Sequence, residues 1–340
     1  MTPPNPPAKP AFYDIARIRR AALAAAGVVA PWGVGMAAGQ ATNGSIASFG
    51  AYLLLVSFPT VPVARPVLTL GLAALILSGF ACLGAMVTIG GAGFFAMAVA
   101  AALAQAVMEL RGGPLRLPVA LGALAFFLSI EPLPPGGWQL YGGLFLAGTI
   151  WAVAVAAVVL PRAPASGSSL PVGDWAGGRF LATAASASLL GALLAGISPS
   201  SHPGWLPAAA LRVLKPTREQ TLRRMKQRGI GSLLGAACGG LLLGWASAPW
   251  LHATLVGILV FAMLMIGAKR YGAWTFCLTA VALAFDLGPV ASPLPLAFDR
   301  VLLTAGGLLV VTALFFLLPR GSAAPSKTVP KVHAESGAGS

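Results

Sequence analysis

Long apolar runs follow one another along almost the whole chain, and basic residues sit in the gaps between them. A helix needs roughly 20 mostly apolar residues to cross a bilayer. Runs of this kind lie at 18–40, 45–63, 67–88, 92–109, 117–130 and 139–160. A second set lies at 180–198, 204–214, 229–247, 250–268, 271–287 and 296–319. The pattern predicts an all-α integral membrane protein of about 12 transmembrane helices. The runs at 117–130 and 204–214 are short. Each reads as a half-span, a tilted helix extended by its flanks, or a re-entrant piece, which leaves ten spans as the alternative.

Composition supports lipid as the solvent. The chain is 57% hydrophobic and only 9% charged, with a mean hydropathy of +0.85. Soluble domains carry roughly a quarter charged residues, so this chain has too few to cover a water-exposed surface. The net charge of +14 comes from residues scattered between apolar runs rather than gathered on one polar domain, which argues against nucleic acid as a partner. Cys82, Cys238 and Cys277 stand singly inside apolar runs, with neither a metal-ligand spacing nor a disulfide framework. No metal or cofactor is expected. The N-terminus does not read as a cleaved signal peptide, since its apolar run is the first of many.

Charge placement sets the topology. With the N-terminus inside, 21 of the 22 Lys and Arg residues fall at cytoplasmic ends, and Arg300 alone falls at an external end. That bias is what the positive-inside rule requires, and it puts both termini in the cytoplasm. The halves also resemble each other: Arg20 and Arg179 are 159 residues apart, Pro59-Thr60 and Pro216-Thr217 157, and Leu160-Pro161-Arg162 and Leu318-Pro319-Arg320 158. The offsets predict two parallel six-helix repeats, at 17–161 and 179–320. A Pro/Gly/Ser-rich linker at 162–178 joins them, and 1–16 and 321–340 have the composition of disorder.

The most charged stretch, RVLKPTREQTLRRMKQRGIG from Arg212 to Gly231, holds seven basic residues. Pro216 should break the eighth span near Lys215, because proline has no N–H to continue a helix. Thr217 is the natural N-cap of the next helix, with Gln220 at the capping-box position. Leu222, Met225 and Gly229 then fall on one apolar face of an amphipathic segment that leads into the ninth span. Gly231, Gly235 and Gly239 recur every fourth residue there, a face for close helix packing or, alternatively, a glycine-lined path.

From His202 to Gly240 the chain reads HPGWLPAAALRVLKPTREQTLRRMKQRGIGSLLGAACGG, and its last span reads AFDRVLLTAGGLLVV. These resemble the fusaric acid resistance family of membrane proteins in their His-Pro-x-Trp start, Pro-Thr break, Arg-rich turn, Gly-x-x-x-Gly helix and acidic-Arg-x-x-x-Thr-x-x-Gly ending. The second half matches more closely than the first. Gly204 stands where the family usually has an aromatic residue. The resemblance implies an inner-membrane exporter of small aromatic carboxylic acids that confers toxin resistance. It also implies that a periplasmic adaptor and an outer-membrane channel sometimes serve as partners; the lipid bilayer and a homo-oligomer are the other partners expected of the chain. Larger relatives carry cytosolic domains that this sequence lacks.

An exporter of weak acids must draw an anion from the cytoplasm. Arg212, Lys215, Arg223 and Arg224 are the substrate-binding candidates at a basic mouth that concentrates anions. Topology and anionic headgroups are the competing account of the same residues. Arg212 lies within an apolar run, so it either faces a polar cavity or snorkels to the headgroups. Trp205 reads as an interface anchor like Trp138 and Trp250, or as a stacking surface for an aromatic acid. Arg300 is the external cation. Asp286, Asp299 and His202 are the proton-coupling candidates, against helix capping for the acids and a solvated loop for the histidine. An anion channel and a scaffold within an efflux complex are the alternative functions. An enzyme is not expected, because no span holds a nucleophile–base set or paired carboxylates.

Overall fold

The computed structural model describes residues 15–57, 65–130, 133–159, 177–245, 248–267, 270–286 and 292–317. The repeat landmarks at Pro59-Thr60, Leu160-Pro161-Arg162 and Leu318-Pro319-Arg320 lie outside them, as do residues 1–14, 162–176 and 321–340. Helix starts at Ile15 and at Gly177, inside the segments 1–16 and 162–178 read as terminus and linker.

Twelve helices and no strand form among the described residues. The first six are α1 (Ile15–Ala37), α2 (Ala41–Ser57), α3 (Pro66–Met86), α4 (Ala92–Arg111), α5 (Arg116–Leu128) and α6 (Gly137–Val159). The second six are α7 (Gly177–Ile197), α8 (Trp205–Val213), α9 (Arg218–Trp245), α10 (Pro249–Ile266), α11 (Tyr271–Asp286) and α12 (Pro293–Leu317). Seven of them, α1, α3, α4, α6, α7, α10 and α12, are long and apolar enough to cross a membrane. The expected twelve helices form, and the two runs read as short, 117–130 and 204–214, are the short helices α5 and α8.

Position explains the short helices. Of the other five, α9 has the length, 28 residues, but a charged first half. In contrast, α2, α5, α8 and α11 have only 17, 13, 9 and 16 residues, and none of the exposed large apolar side chains belongs to these four. α5 packs on α8 and α2 on α11, so these four form the interior. The longer helices surround them and expose Leu75, Leu193, Ile258 and Leu309. An inner helix whose neighbours are protein need not match the bilayer's hydrocarbon thickness, because its end groups find partners within the fold.

Packing pairs recur with a shift of six helices. α1 packs on α2, α2 on α6, and α3 on α5 and α6; α7 packs on α8, α8 on α12, and α9 on α11 and α12. Between the halves, α1 packs on α10 and α4 on α7. Glycines mark corresponding close approaches. A Cβ on Gly148 would strike the Ala47 carbonyl oxygen, and one on Gly307 would lie 2.6 Å from that of Leu206. Gly148 and Gly307 are 159 residues apart, as are Ala47 and Leu206.

The Pro216 break forms where the sequence places it. α8 ends at Val213, and the Gln220 N–H donates to Thr217 Oγ1 at 3.2 Å, the predicted N-cap. The amphipathic segment and the ninth span are one helix of 28 residues, α9. Its inward face differs from expectation. Leu222 is 49% exposed, whereas Thr221, Arg228, Ser232 and Gly235 are buried. Lipid is as apolar as a packed core, so Leu222 loses little by facing outward, while a polar stripe gains partners inside.

Candidate functional site

The site is assembled at the α8–α9 break. Thr221, fully buried on the first turns of α9, shares its one hydroxyl proton between the carbonyls of Lys215 at 3.1 Å and Thr217 at 3.0 Å. Its Oγ1 also accepts the Lys215 N–H at 3.0 Å. A single hydroxyl thus satisfies main-chain groups that Pro216 prevents from joining a helix. Lys215 is buried by this turn, and its Nζ donates to Glu109 Oε1 on α4. One helical turn earlier on the same face of α4, Gln105 Nε2 donates to the Leu211 carbonyl at 2.9 Å. Residues of the first half therefore hold the broken segment of the second at two points.

Arg212 is 7% exposed and Arg228 1%. The Arg212 guanidinium lies 5.8 Å from the Trp274 ring centroid, and the Tyr271 hydroxyl donates to the Arg212 carbonyl at 3.4 Å. Arg224 sits over the other α11 ring, 4.4 Å from the Tyr271 centroid. Arg212 and Arg224 thus lie against the two α11 rings, while Lys215 holds the carboxylate of Glu109, whose Oε2 is 3.9 Å from the half-exposed Arg116 of α5. Arg212 Nε and Arg228 Nε and Nη1 are buried without a hydrogen-bond partner among the described residues. Buried cationic donors left unpaired are costly, and an anion with a flat apolar body answers both the donors and the rings.

A second cluster forms around the start of α8. Trp205 is 1% exposed, with the His202 ring stacked at 4.6 Å and the Arg300 guanidinium 4.1 Å from its centroid. Asp299 Oδ2 accepts from Ser200 Oγ at 2.8 Å. Burial, with Arg300 adding and Asp299 opposing, pushes the His202 imidazole down to about 4. The expected interface anchor at Trp205 is corrected: the side chain is enclosed, because histidine and arginine stack on it, whereas Trp250 is 61% exposed. The histidine is partly buried rather than freely solvated.

This loop yields a pH prediction. In the unfolded chain His202 takes up its proton near pH 6.5, but in the folded chain only near pH 4. The folded state binds fewer protons between those values, so the stability this neutral ring contributes is complete above about pH 6.5 and is lost as pH falls through about 4. Differential scanning fluorimetry should show the wild-type midpoint falling between pH 6.5 and 4.5, with a shallower fall for His202→Gln. Equal slopes for both proteins would contradict this account.

Three of the sequence candidates, Arg212, Lys215 and Arg224, come together. Arg223 stands apart, exposed on the outer face of α9. Trp205, Arg300, His202 and Asp299 belong to the second cluster. Asp286 closes α11, and its side chain lies outside the described residues. Gly231, Gly235 and Gly239 pack on α11: a Cβ on Gly231 would sit 2.5 Å from the Gly272 oxygen, and one on Gly239 3.1 Å from Ala280 Cα. The packing reading fits these contacts rather than a glycine-lined path. Glu109, Gln105, Tyr271 and Trp274 escaped sequence reasoning. A usable signal was the i, i+4 polar pair Gln105/Glu109 inside an apolar run, since a carboxylate there demands a partner.

The two clusters lie on one short helix. Trp205 and Arg212 are seven residues apart, about 10 Å along the axis. Tyr52 of α2, fully enclosed, is close enough to feel the charges of both Arg212 and Arg300. Among the described residues, no group of His, Cys, Asp or Glu has the makings of a metal centre.

Residues 186–314 match the family model described as fusaric acid resistance protein-like. That span runs from α7 into α12 and holds every residue of both clusters except Gln105, Glu109 and Arg116. No curated protein and no solved structure matches the chain. The chain is a multi-pass membrane protein, and the segment 186–314 of its second half, which holds the Pro-Thr break and the Gly-x-x-x-Gly helix, is similar to fusaric acid resistance protein-like proteins.

Proposed function

We propose that this protein exports small aromatic carboxylates, such as fusaric acid, across the bacterial inner membrane and so confers resistance to them. The observation that carries the reading is the set of buried, unpartnered guanidinium donors on Arg212 and Arg228 beside the Trp274 and Tyr271 rings. An aromatic carboxylate offers both matching halves: an acceptor pair for the guanidinium fork and a face for the rings. The family match supports a transport role.

In this reading both termini are cytoplasmic, and the chain is two parallel six-helix repeats, supported by the recurring helix pairs and the 159-residue spacing of the glycine contacts. The Lys215 cluster is then the cytoplasmic entry and the Trp205 cluster the outer end. Arg223, with the other exposed basic residues of α9, draws anions toward the entry. An inside-negative potential favours outward movement of one negative charge by about 2.3 kcal/mol per 100 mV. A periplasmic adaptor and an outer-membrane channel would carry the acid onward.

Proteoliposomes loaded with benzoate test the proposal. Imposing an inside-negative potassium diffusion potential should accelerate benzoate efflux, saturably and with stimulation by benzoate on the opposite side. Efflux no faster than from protein-free liposomes would defeat the transport reading. Saturation without trans-stimulation would replace the carrier by a channel. Asp299→Asn should leave the rate within about twofold, because Asp299 accepts a hydrogen bond from Ser200, which an asparagine carbonyl can also accept.

A further inference from the structure

Glu109 is the carboxylate in the cation cluster, and its placement gives it a part in binding. Its side chain is 6% exposed and that of Lys215 11%, while that of Arg116 is 43% exposed. The two carboxylate oxygens face different cations: Oε1 accepts from Lys215 Nζ, and Oε2 lies 3.9 Å from Arg116 Nη1. Glu109 therefore stands between a buried cation, which shares its surroundings with Arg212 and Arg224, and a half-exposed one at the edge of α5. The buried side also holds the unpartnered donors on Arg212 and Arg228.

Resting on the anion-transport reading above, we propose that Glu109 is an internal competitor for the substrate's carboxylate. It occupies Lys215 in the empty protein; an arriving aromatic carboxylate takes Lys215 together with the unpartnered arginine donors, and Glu109 transfers to Arg116. No proton moves, since Glu109 exchanges one cation for another and stays ionised. Displacement costs a charge-assisted hydrogen bond at Lys215, which the new contact at Arg116 and the contacts of the incoming anion offset. The same exchange loosens the tie between α4 and the α8–α9 break, which are held by this ion pair and by the Gln105–Leu211 hydrogen bond. Binding of an anion is thereby linked to the contact that holds α4 of the first half against the second. Specificity is a further consequence: a ligand without an anionic group has nothing with which to displace Glu109.

A merely structural ion pair and an internal competitor make opposite predictions. Loss of either partner weakens a structural pair, so Glu109→Gln and Lys215→Gln would then both impair ligand binding. In competition the two substitutions diverge. Isothermal titration of the purified full chain with benzoate should show Glu109→Gln binding about tenfold tighter than wild type. Lys215→Gln should bind at least tenfold weaker, the size expected of one charge-assisted hydrogen bond. Arg116→Gln, which removes the alternative partner, should weaken binding several-fold. Glu109→Asp, too short to hold Lys215 well, should also tighten it and serves if the glutamine variant does not fold. Unchanged or weaker benzoate binding in both Glu109 variants would overturn the proposal while leaving the transport reading intact. No benzoate binding by wild type and variants alike would remove the transport reading and this inference with it.

Discussion

Arg228→Met is expected to raise the thermal midpoint of the protein while abolishing benzoate transport. Arg228 is 1% exposed, and its Nε and Nη1 atoms have no hydrogen-bond partner among the described residues. Replacing a buried charge whose donors are incompletely paired by an apolar side chain of similar length removes an uncompensated desolvation cost, so the change should be neutral or stabilising. The same change removes two donors from the carboxylate site. At about 1.5–3 kcal/mol for each hydrogen bond to a charged group, binding falls by about 100-fold or more. Thermal shift and proteoliposome efflux on the same preparation check both halves. A variant that loses stability and activity together would mark Arg228 as a packing residue. A variant that keeps wild-type transport would remove it from the site.

The second large effect is structural. Gly235→Leu is expected to prevent recovery of monodisperse protein, and Gly235→Ala to lower its thermal midpoint sharply. A Cβ at Gly235 would run into the Phe276 carbonyl oxygen, and the neighbouring Gly231 and Gly239 make comparable approaches to α11. The obstacle is main chain, which cannot move aside like a flexible side chain, so α9 and α11 must separate. Overpacking of this kind costs about 3 kcal/mol or more. The separation would also pull Arg224 and Arg228 away from Tyr271 and Trp274. Gly79 on α3 is the control, since a Cβ there meets nothing within 4 Å. Gly79→Ala should gain about 0.5–1 kcal/mol, because alanine restricts the unfolded chain without a clash. Size-exclusion profiles and thermal midpoints of the three variants separate the cases; equal behaviour of Gly235→Ala and Gly79→Ala would dismiss the packing role of this face.

Much of the fold was legible because its determinants are local. Apolar runs gave every helix, including the short α5 and α8, since a chain leaving water must close its own main-chain hydrogen bonds. Pro216 gave the break and Thr217 the N-cap, because a missing N–H and a side-chain acceptor act on their immediate neighbours. The Gly231/Gly235/Gly239 spacing gave a packing face. The candidate site was half legible: Arg212, Lys215 and Arg224 stood out as charges in an apolar chain, while the carboxylate and rings that meet them lie more than 45 residues away in sequence, on α4 and α11.

Sequence by itself determined that the chain lives in lipid, where its helices begin and end, and which segment gathers positive charge. Tertiary structure alone decided that Glu109 meets Lys215, that Trp205 is enclosed by His202 and Arg300, and that α9 turns Arg228 inward and Leu222 outward. The reason is that lipid and protein core are equally apolar, so hydrophobicity cannot say which side of a membrane helix faces its neighbours. That choice falls to glycine contacts and buried polar partners, which exist only once distant helices have met.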